Sequence, residues 1–226
     1  MAVTFFVPDS PFGDFADWKL NTGGNPNTTE QRAQALGPDG DEIAWKGYGK
    51  KTALTATYVA TKAVGDLVIP KAGQVVGGCH IDSVQVAYNQ TGYPIMTLSG
   101  HRHDHGNPHT TCRTYTGSVT LPAAAIGIPA AFGDVFKLQP SAEVGMRGAT
   151  YTLSVIHVDE MDGVGGQLAG ENRDGTEELA IELTADAAPT DYAVSAAWHL
   201  GTLAKALGNT VATTSSLNLT HHIAHD

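Results

Sequence analysis

The chain has 226 residues and a formal net charge of −10, from 13 Lys and Arg against 23 Asp and Glu. That balance argues against a protein that grips nucleic acid by neutralising phosphate, which needs a basic surface, and no apolar run approaches the roughly 18 residues of a membrane helix. Charged residues make up only 16% of the chain, against about 25% in soluble domains, so much of the surface is expected to be uncharged Thr, Ser, Asn, Gly and Ala, which suits a monomer as well as a subunit whose faces neighbours cover.

The N-terminus, MAVTFFVPDSPFGDF, has no basic start and no apolar run before a small-residue cleavage site, so no signal peptide is expected. Residues 1–50 read as an irregular arm. PDSPFGDF, NTGGNPNTTE and LGPDGDE are dense in Gly, Pro, Asn and Asp, which favour turns. Between them TTEQRAQAL predicts a short helix over Thr28–Leu36, with Thr28 or Thr29 as N-cap and Glu30 in the first turn. Phe5, Phe6, Phe12, Phe15 and Trp18 make the arm too aromatic for a free tail, so it is expected to pack on its own domain or on a neighbour.

From Lys51 the hydrophobic period becomes two. TALTATYVAT, DLVIP, HIDSVQVAYN, YPIMTLSG, RTYTGSVTL, DVFKL, ATYTLSVIHV, EELAIELTA, DYAVSAAWHL and TTSSLNLTHH all read as strands. Nine or ten such strands over 51–226 predict a mainly β domain, an antiparallel β-sandwich or barrel with one or two short helices. The second helix is expected at Thr202–Leu207, ending at Gly208. Asp159–Thr176, DEMDGVGGQLAGENRDGT, reads as a long loop of the kind that is usually functional, here a projecting hairpin that docks on a neighbouring subunit. It lacks the EF-hand pattern for calcium. Trp45, Tyr48 and Tyr58 read as packing residues.

Three strand endings echo one another: TLSGHRHDH, TLSVIHVDE and LNLTHHIAHD each run from alternating apolar and hydroxyl residues into histidine and acid. Shared strand-to-loop grammar and a true internal repeat both account for the echo. In the first ending, residues two apart point to one face of a strand, so His101, His103 and His105 present imidazoles in a row at ~7 Å spacing. That is too wide for all three to share one zinc. Two of them, completed by His109, Cys112 or the Cys79-His80 pair on a neighbouring strand, make an N/S donor set that zinc accepts. The candidate metal residues are therefore His101, His103, His105, His109 and Cys112, for a structural zinc if any cofactor at all. The default reading of the same residues is a polar strand-to-loop segment whose histidines are hydrogen-bonded or solvated, with Asp104 nearby.

HRHDH is similar to the HxHxDH signature of metallo-β-lactamase-like hydrolases, but one residue is missing before Asp104. The HxH opening of a cupin site is also similar, but GNPHTTC replaces its glutamate. Neither pattern carries over. No nucleophile elbow, P-loop, HExxH or CxxC is present, and no catalytic residue is expected. With two cysteines, Cys79 and Cys112, the chain has too few for a disulfide framework.

A β-rich, acidic chain without a signal peptide, with an aromatic arm and a long Gly/Asp loop, resembles tailed-bacteriophage virion proteins, most closely the tail tube family. The resemblance is one of organisation over most of the chain. It implies a subunit whose β-sandwich or barrel closes into hexameric rings, with rings stacking through a long loop and terminal arms. It implies other virion proteins as partners, assembly in the host cytoplasm, residence in the virion, no membrane anchor, and DNA that passes without specific binding. Acidic channel walls would repel phosphate and suit such a conduit. A capsid decoration or baseplate protein fits the same features. From another class, a zinc-dependent β-barrel enzyme or metal-binding module would build on Met96–Cys112.

Overall fold

The computed structural model describes residues 10–24, 26–61, 66–89, 93–103, 114–115, 121–122, 136–138, 144–161, 167–185, 192–194, 199–206 and 213–223. Their regular structure is all strand: β1 Trp18–Thr22, β2 Asn27–Leu36, β3 Glu42–Ala60, β4 Asp66–Leu67, β5 Val75–Val76, β6 Cys79–Asn89, β7 Ile95–His103, β8 Leu121–Pro122, β9 Phe136–Leu138, β10 Val144–Met161, β11 Gln167–Ala185, β12 Tyr192–Val194, β13 His199–Ala206 and β14 Thr213–Ile223. Ten of them form one antiparallel sheet in the order β1, β3, β7, β6, β10, β11, β14, β13, with β2 added to β3 and β5 to β6. The mainly β antiparallel class follows from the period-two pattern as expected. The sheet is open: β1 and β13 stand at opposite ends of its strand order and do not pair, so it is not a closed barrel.

One face carries the core. Leu54, Ala56, Tyr58 and Ala60 on β3 alternate with less buried residues, as do Met96 and Leu98 on β7, Val84 and Val86 on β6, and Tyr151 and Leu153 on β10. Register joins them into rows: Ala56 lies opposite Leu98, Leu98 opposite Val84, and Val84 opposite Leu153. Each fully buried large side chain contributes about 1.5–3 kcal/mol of transfer free energy. The N-terminal segment closes one end of this core. Phe12 and Trp18 are buried, Trp18 Nε1 donates to the Val68 carbonyl at 2.8 Å, and Phe15 meets Tyr58 edge-on at 5.4 Å. The arm's described aromatics thus pack on their own domain; Phe5 and Phe6 lie outside the described residues.

Neither predicted helix is present among the described residues. Thr28–Leu36 is strand, paired with β3 from Asn27 opposite Ala53 to Leu36 opposite Glu42. The turn signals of LGPDGDE provide the reason, because they reverse the chain where a helix would have to end. Gly40 adopts φ 84°, Gly37 N donates to the Asp41 carbonyl at 2.8 Å, and the partner strand then supplies every second residue with a neighbour. Arg32 lies over the Trp45 ring at 4.2 Å, and Gln34 Nε2 donates to Glu42 at 2.7 Å. Trp45 is therefore 55% exposed and not a core residue, unlike Tyr58. Thr202–Ala206 likewise belongs to β13, paired with β14; Leu207 lies outside the described residues. β3 runs through the Lys50–Lys51 junction, so the arm and the β domain share a strand.

Asp159–Thr176 is not an irregular loop. β10 and β11 stay paired out to Met161 opposite Gln167, leaving only 162–166 between them outside the described residues. Asp174, with φ 51°, and the irregularity between Ser154 and Ile156 absorb the mismatch.

Close strand packing makes Gly100 testable. A Cβ there would collide with the His80 carbonyl oxygen on β6 and come within 2.8 Å of Phe12 Cε1. Gly100→Ala is expected to cost about 1–3 kcal/mol, the range for overpacking a well-filled site, read as a lower urea midpoint. An unchanged midpoint would show that β6 and β7 do not approach this closely.

Candidate functional site

The site is built on the polar face of β7. Met96 and Leu98 point into the core, so Thr97, Ser99, His101 and His103 point the other way. β6 brings His80 directly opposite His101. One residue later β6 bulges: Ile81 pairs with Gly100 and Ser83 with Ser99, leaving Asp82 as the extra residue. The bulge resets the alternation. It lets His80 and Asp82 serve the polar face while Val84 and Val86 return to the core.

β10 and β11 supply the other side. Past the irregularity at Ser154, the His157 side chain, nearly inaccessible, and half-buried Asp159 alternate with exposed Ile156 and Val158, and His157 lies opposite Asn172 on β11. This stretch is inverted, with its polar residues inside and its apolar ones outside. Tyr115, which bridges to Ala72, lies over the site with its hydroxyl directed at the Asn172 carbonyl at 3.4 Å.

The result is a continuous network of four imidazoles. Asp82 accepts from Nδ1 of His80 at 2.9 Å through one oxygen and from Nδ1 of His101 at 2.7 Å through the other. Asn172 Oδ1 meets Nε2 of His80 at 2.8 Å and Nδ1 of His157 at 2.7 Å. Asp159 Oδ1 accepts from Nε2 of His157 at 2.8 Å and Nε2 of His103 at 3.1 Å, and its other oxygen faces Lys51 Nζ at 3.5 Å. Ring centroids stand 4.2 Å apart for His80 and His157, 4.9 Å for His80 and His101, and 4.8 Å for His101 and His157. His80, His101 and Asn172 are essentially inaccessible to water.

Burial disfavours charge on both aspartates, but the hydrogen bonds from His101 and His80 to Asp82, and from His103 and His157 to Asp159, outweigh it and hold both carboxyls well below the usual range. Burial lowers the pKa of His101, only partly offset by Asp82. For His157 burial also opposes charge, yet its hydrogen bonds to Asp159 and Asn172 prevail and its pKa is raised.

Two overlapping groups have ligand atoms within 4.8 Å of one another: His80, His101 and His157, and His101, His103 and Asp159. Of the residues expected from sequence, the structure brings His101 and His103 together; His105, His109 and Cys112 lie outside the described residues. His80 joins them from the paired strand, as the sequence allowed. Cys79, beside it, is buried and its thiol pKa is pushed up by desolvation, which disfavours the thiolate a metal requires. His157, Asp159, Asp82 and Asn172 are new. The signal for the first two was the echo between TLSGHRHDH and TLSVIHVDE, whose endings converge here. The third echo leads elsewhere: on β14, His221 donates Nδ1 to Glu177 at 2.7 Å, and Tyr151 donates to the other oxygen of this fully buried carboxylate at 2.6 Å. Burial and the Glu177 charge push the Tyr151 pKa up.

Compared with known proteins, the chain matches no protein-family model, and no curated protein matches its sequence. The fold and side chains define a class of site, a cluster of largely buried histidines with partly exposed carboxylates on an open antiparallel sheet.

The network sets a pH window. Because the folded pKa values of Asp82 and Asp159 are depressed, their contribution is present above about pH 4 and is lost as pH falls through the folded values. His157 has a raised folded pKa, so its contribution is full below about pH 6.5 and is lost as pH rises through the folded value. Urea stability, measured with a chelator present, is expected to decline on both sides of that window, and Asp159→Asn should flatten both limbs. A variant with the parental pH profile would contradict this account.

Proposed function

We propose that the chain is a structural subunit that assembles with copies of itself, in the manner of a phage tail tube protein forming stacked rings around a conduit for DNA. The observation that carries the reading is the β2–β3 hairpin. All ten residues of β2 are exposed, and Leu36, Ile43 and Trp45 near the turn are 61%, 69% and 55% exposed. A two-stranded ribbon that buries nothing of its own is marginal in water, and grouped exposed apolar side chains mark contact surfaces. The β10–β11 hairpin offers a second such surface in Ile156, Val158 and Leu168. Among the described residues the open sheet ends in edges with no further strand, which neighbouring copies can satisfy by strand pairing, and a head-to-tail contact of this kind closes into a ring when its rotation permits.

This reading assigns the subunit no reaction. Its net charge of −10 suits a passage through which DNA moves without adhering. Virion partners, residence in the particle and the ring number belong to the same proposal, and a decoration or baseplate role is its variant within the class.

Sedimentation and negative-stain microscopy of the purified protein are expected to show rings or tubes. Ile43→Lys combined with Trp45→Glu should leave β-sheet circular dichroism and urea stability within about 0.5 kcal/mol of the parent, as surface changes do, while abolishing assembly. A parent chain that stays monomeric at high concentration, even with a nucleating partner present, would overturn the reading.

A further inference from the structure

We infer that His80, His101 and His157 bind one divalent transition-metal ion of the zinc class, with the side-chain oxygen of Asn172 as the nearest further donor. The inference is independent of assembly; of its ligands the sequence had offered His101 and, from the paired strand, His80, whereas His157 and Asn172 come from the structure.

The argument turns on which nitrogen each carboxylate takes. Asp82 engages Nδ1 of His80 and of His101, and Asp159 engages Nε2 of His157, all at 2.7–2.9 Å. A ring that donates N–H to a carboxylate carries, in its neutral form, a lone pair on the opposite nitrogen. Those nitrogens are Nε2 of His80, Nε2 of His101 and Nδ1 of His157, and the three rings each offer a nitrogen within 4.8 Å of one nitrogen of each of the other two. Carboxylates that hold the far nitrogen are the partners that orient metal-binding histidines and raise their basicity.

Asn172 sharpens the point. Its amide nitrogen is turned to the Gly73 carbonyl at 3.5 Å, which leaves its oxygen on the imidazole side. Nε2 of His80 and Nδ1 of His157 both converge on that oxygen, at 2.8 and 2.7 Å. Two nitrogen lone pairs and an amide oxygen repel one another, so positive charge must lie among them. Protons supply it by making both rings imidazolium, each balanced by its own carboxylate but with centroids 4.2 Å apart. One divalent cation supplies it once and satisfies all the donors together.

Three imidazoles with an oxygen form a donor set that zinc accepts in tetrahedral geometry, and imidazole also suits copper and nickel. Zinc–nitrogen bonds of about 2.0–2.1 Å put tetrahedral donors roughly 3.4 Å apart, so on binding the ring nitrogens adjust to that spacing while the Asn172 oxygen, 2.7–2.8 Å from two of them, backs away. Asp159 is the orienting group and not a ligand in this arrangement, since one of its oxygens already accepts from both His157 and His103.

The test uses the full chain, stripped with a chelator and reloaded with zinc or with cobalt as a spectroscopic probe. Expected are one zinc per chain after dialysis, visible cobalt bands of tetrahedral intensity, and a higher thermal midpoint with zinc. His80→Ala and His157→Ala should each weaken zinc binding at least tenfold, Asp82→Asn about 10–100-fold as outer partners do, and His221→Ala not at all. Circular dichroism checks folding. The parent's stoichiometry decides the matter if a variant does not fold: substoichiometric zinc in the parent, or binding unchanged in folded His80→Ala and His157→Ala, overturns the assignment.

Discussion

The bulge at Asp82 is the constraint on which the rest depends. A regular strand has a strict period of two, so a segment that puts His80 and Asp82 on one face must also put Val84 and Val86 there. By inserting one unpaired residue between Ile81 and Ser83, β6 serves both faces in turn. Its later valines remain in the core rows with Leu98 and Leu153, while its earlier histidine and aspartate face His101. Without that shift, either the core loses a row or the polar cluster loses the carboxylate that holds two of its rings.

Packing four imidazoles against two partly exposed carboxylates carries a desolvation cost, which the hydrogen bonds between rings and carboxylates offset. Asp82 and Asp159 each gather two rings, and Asn172 links the two halves through a single oxygen. Such a network resists partial loss, since removal of one member strands the others in a dry environment. It also ties together strands distant in sequence: His80 and Asn172 are 92 residues apart and His103 and Asp159 are 56 apart. Glu177, fully buried between Tyr151 and His221, follows the same logic on β10, β11 and β14. Local polarity thus fastens the sheet from its own middle.

The inverted stretch of β10 connects this interior to the outside. Because His157 and Asp159 turn inward, Ile156 and Val158 must turn outward, so the apolar residues left on the hairpin surface follow directly from the polar residues that build the cluster. The β2–β3 hairpin reaches a similar exposure by another route, extending past the last residue that the core can cover. Two exposed apolar surfaces, on the β2–β3 and β10–β11 hairpins, therefore accompany a sheet cross-linked by polar side chains.

Strand identity was legible in the sequence wherever alternation was clean, as in TALTATYVAT and ATYTLSVIHV, because a half-buried strand demands it. The focus on His101 and His103, and the option of His80 beside them, followed from the same period. TTEQRAQAL was not legible: Glu, Gln, Arg, Ala and Leu are good helix formers, and only the hairpin turn at Gly40, with β3 alongside, makes them a strand. His157 and Asp159 left only the echo between two strand endings, and Asn172 left no signal at all, for another reason. Composition and periodicity by themselves determined a mainly β, acidic chain with a polar histidine edge. Which histidines meet was decided by register, bulges and strand order, and those are set by packing between segments that no local pattern relates.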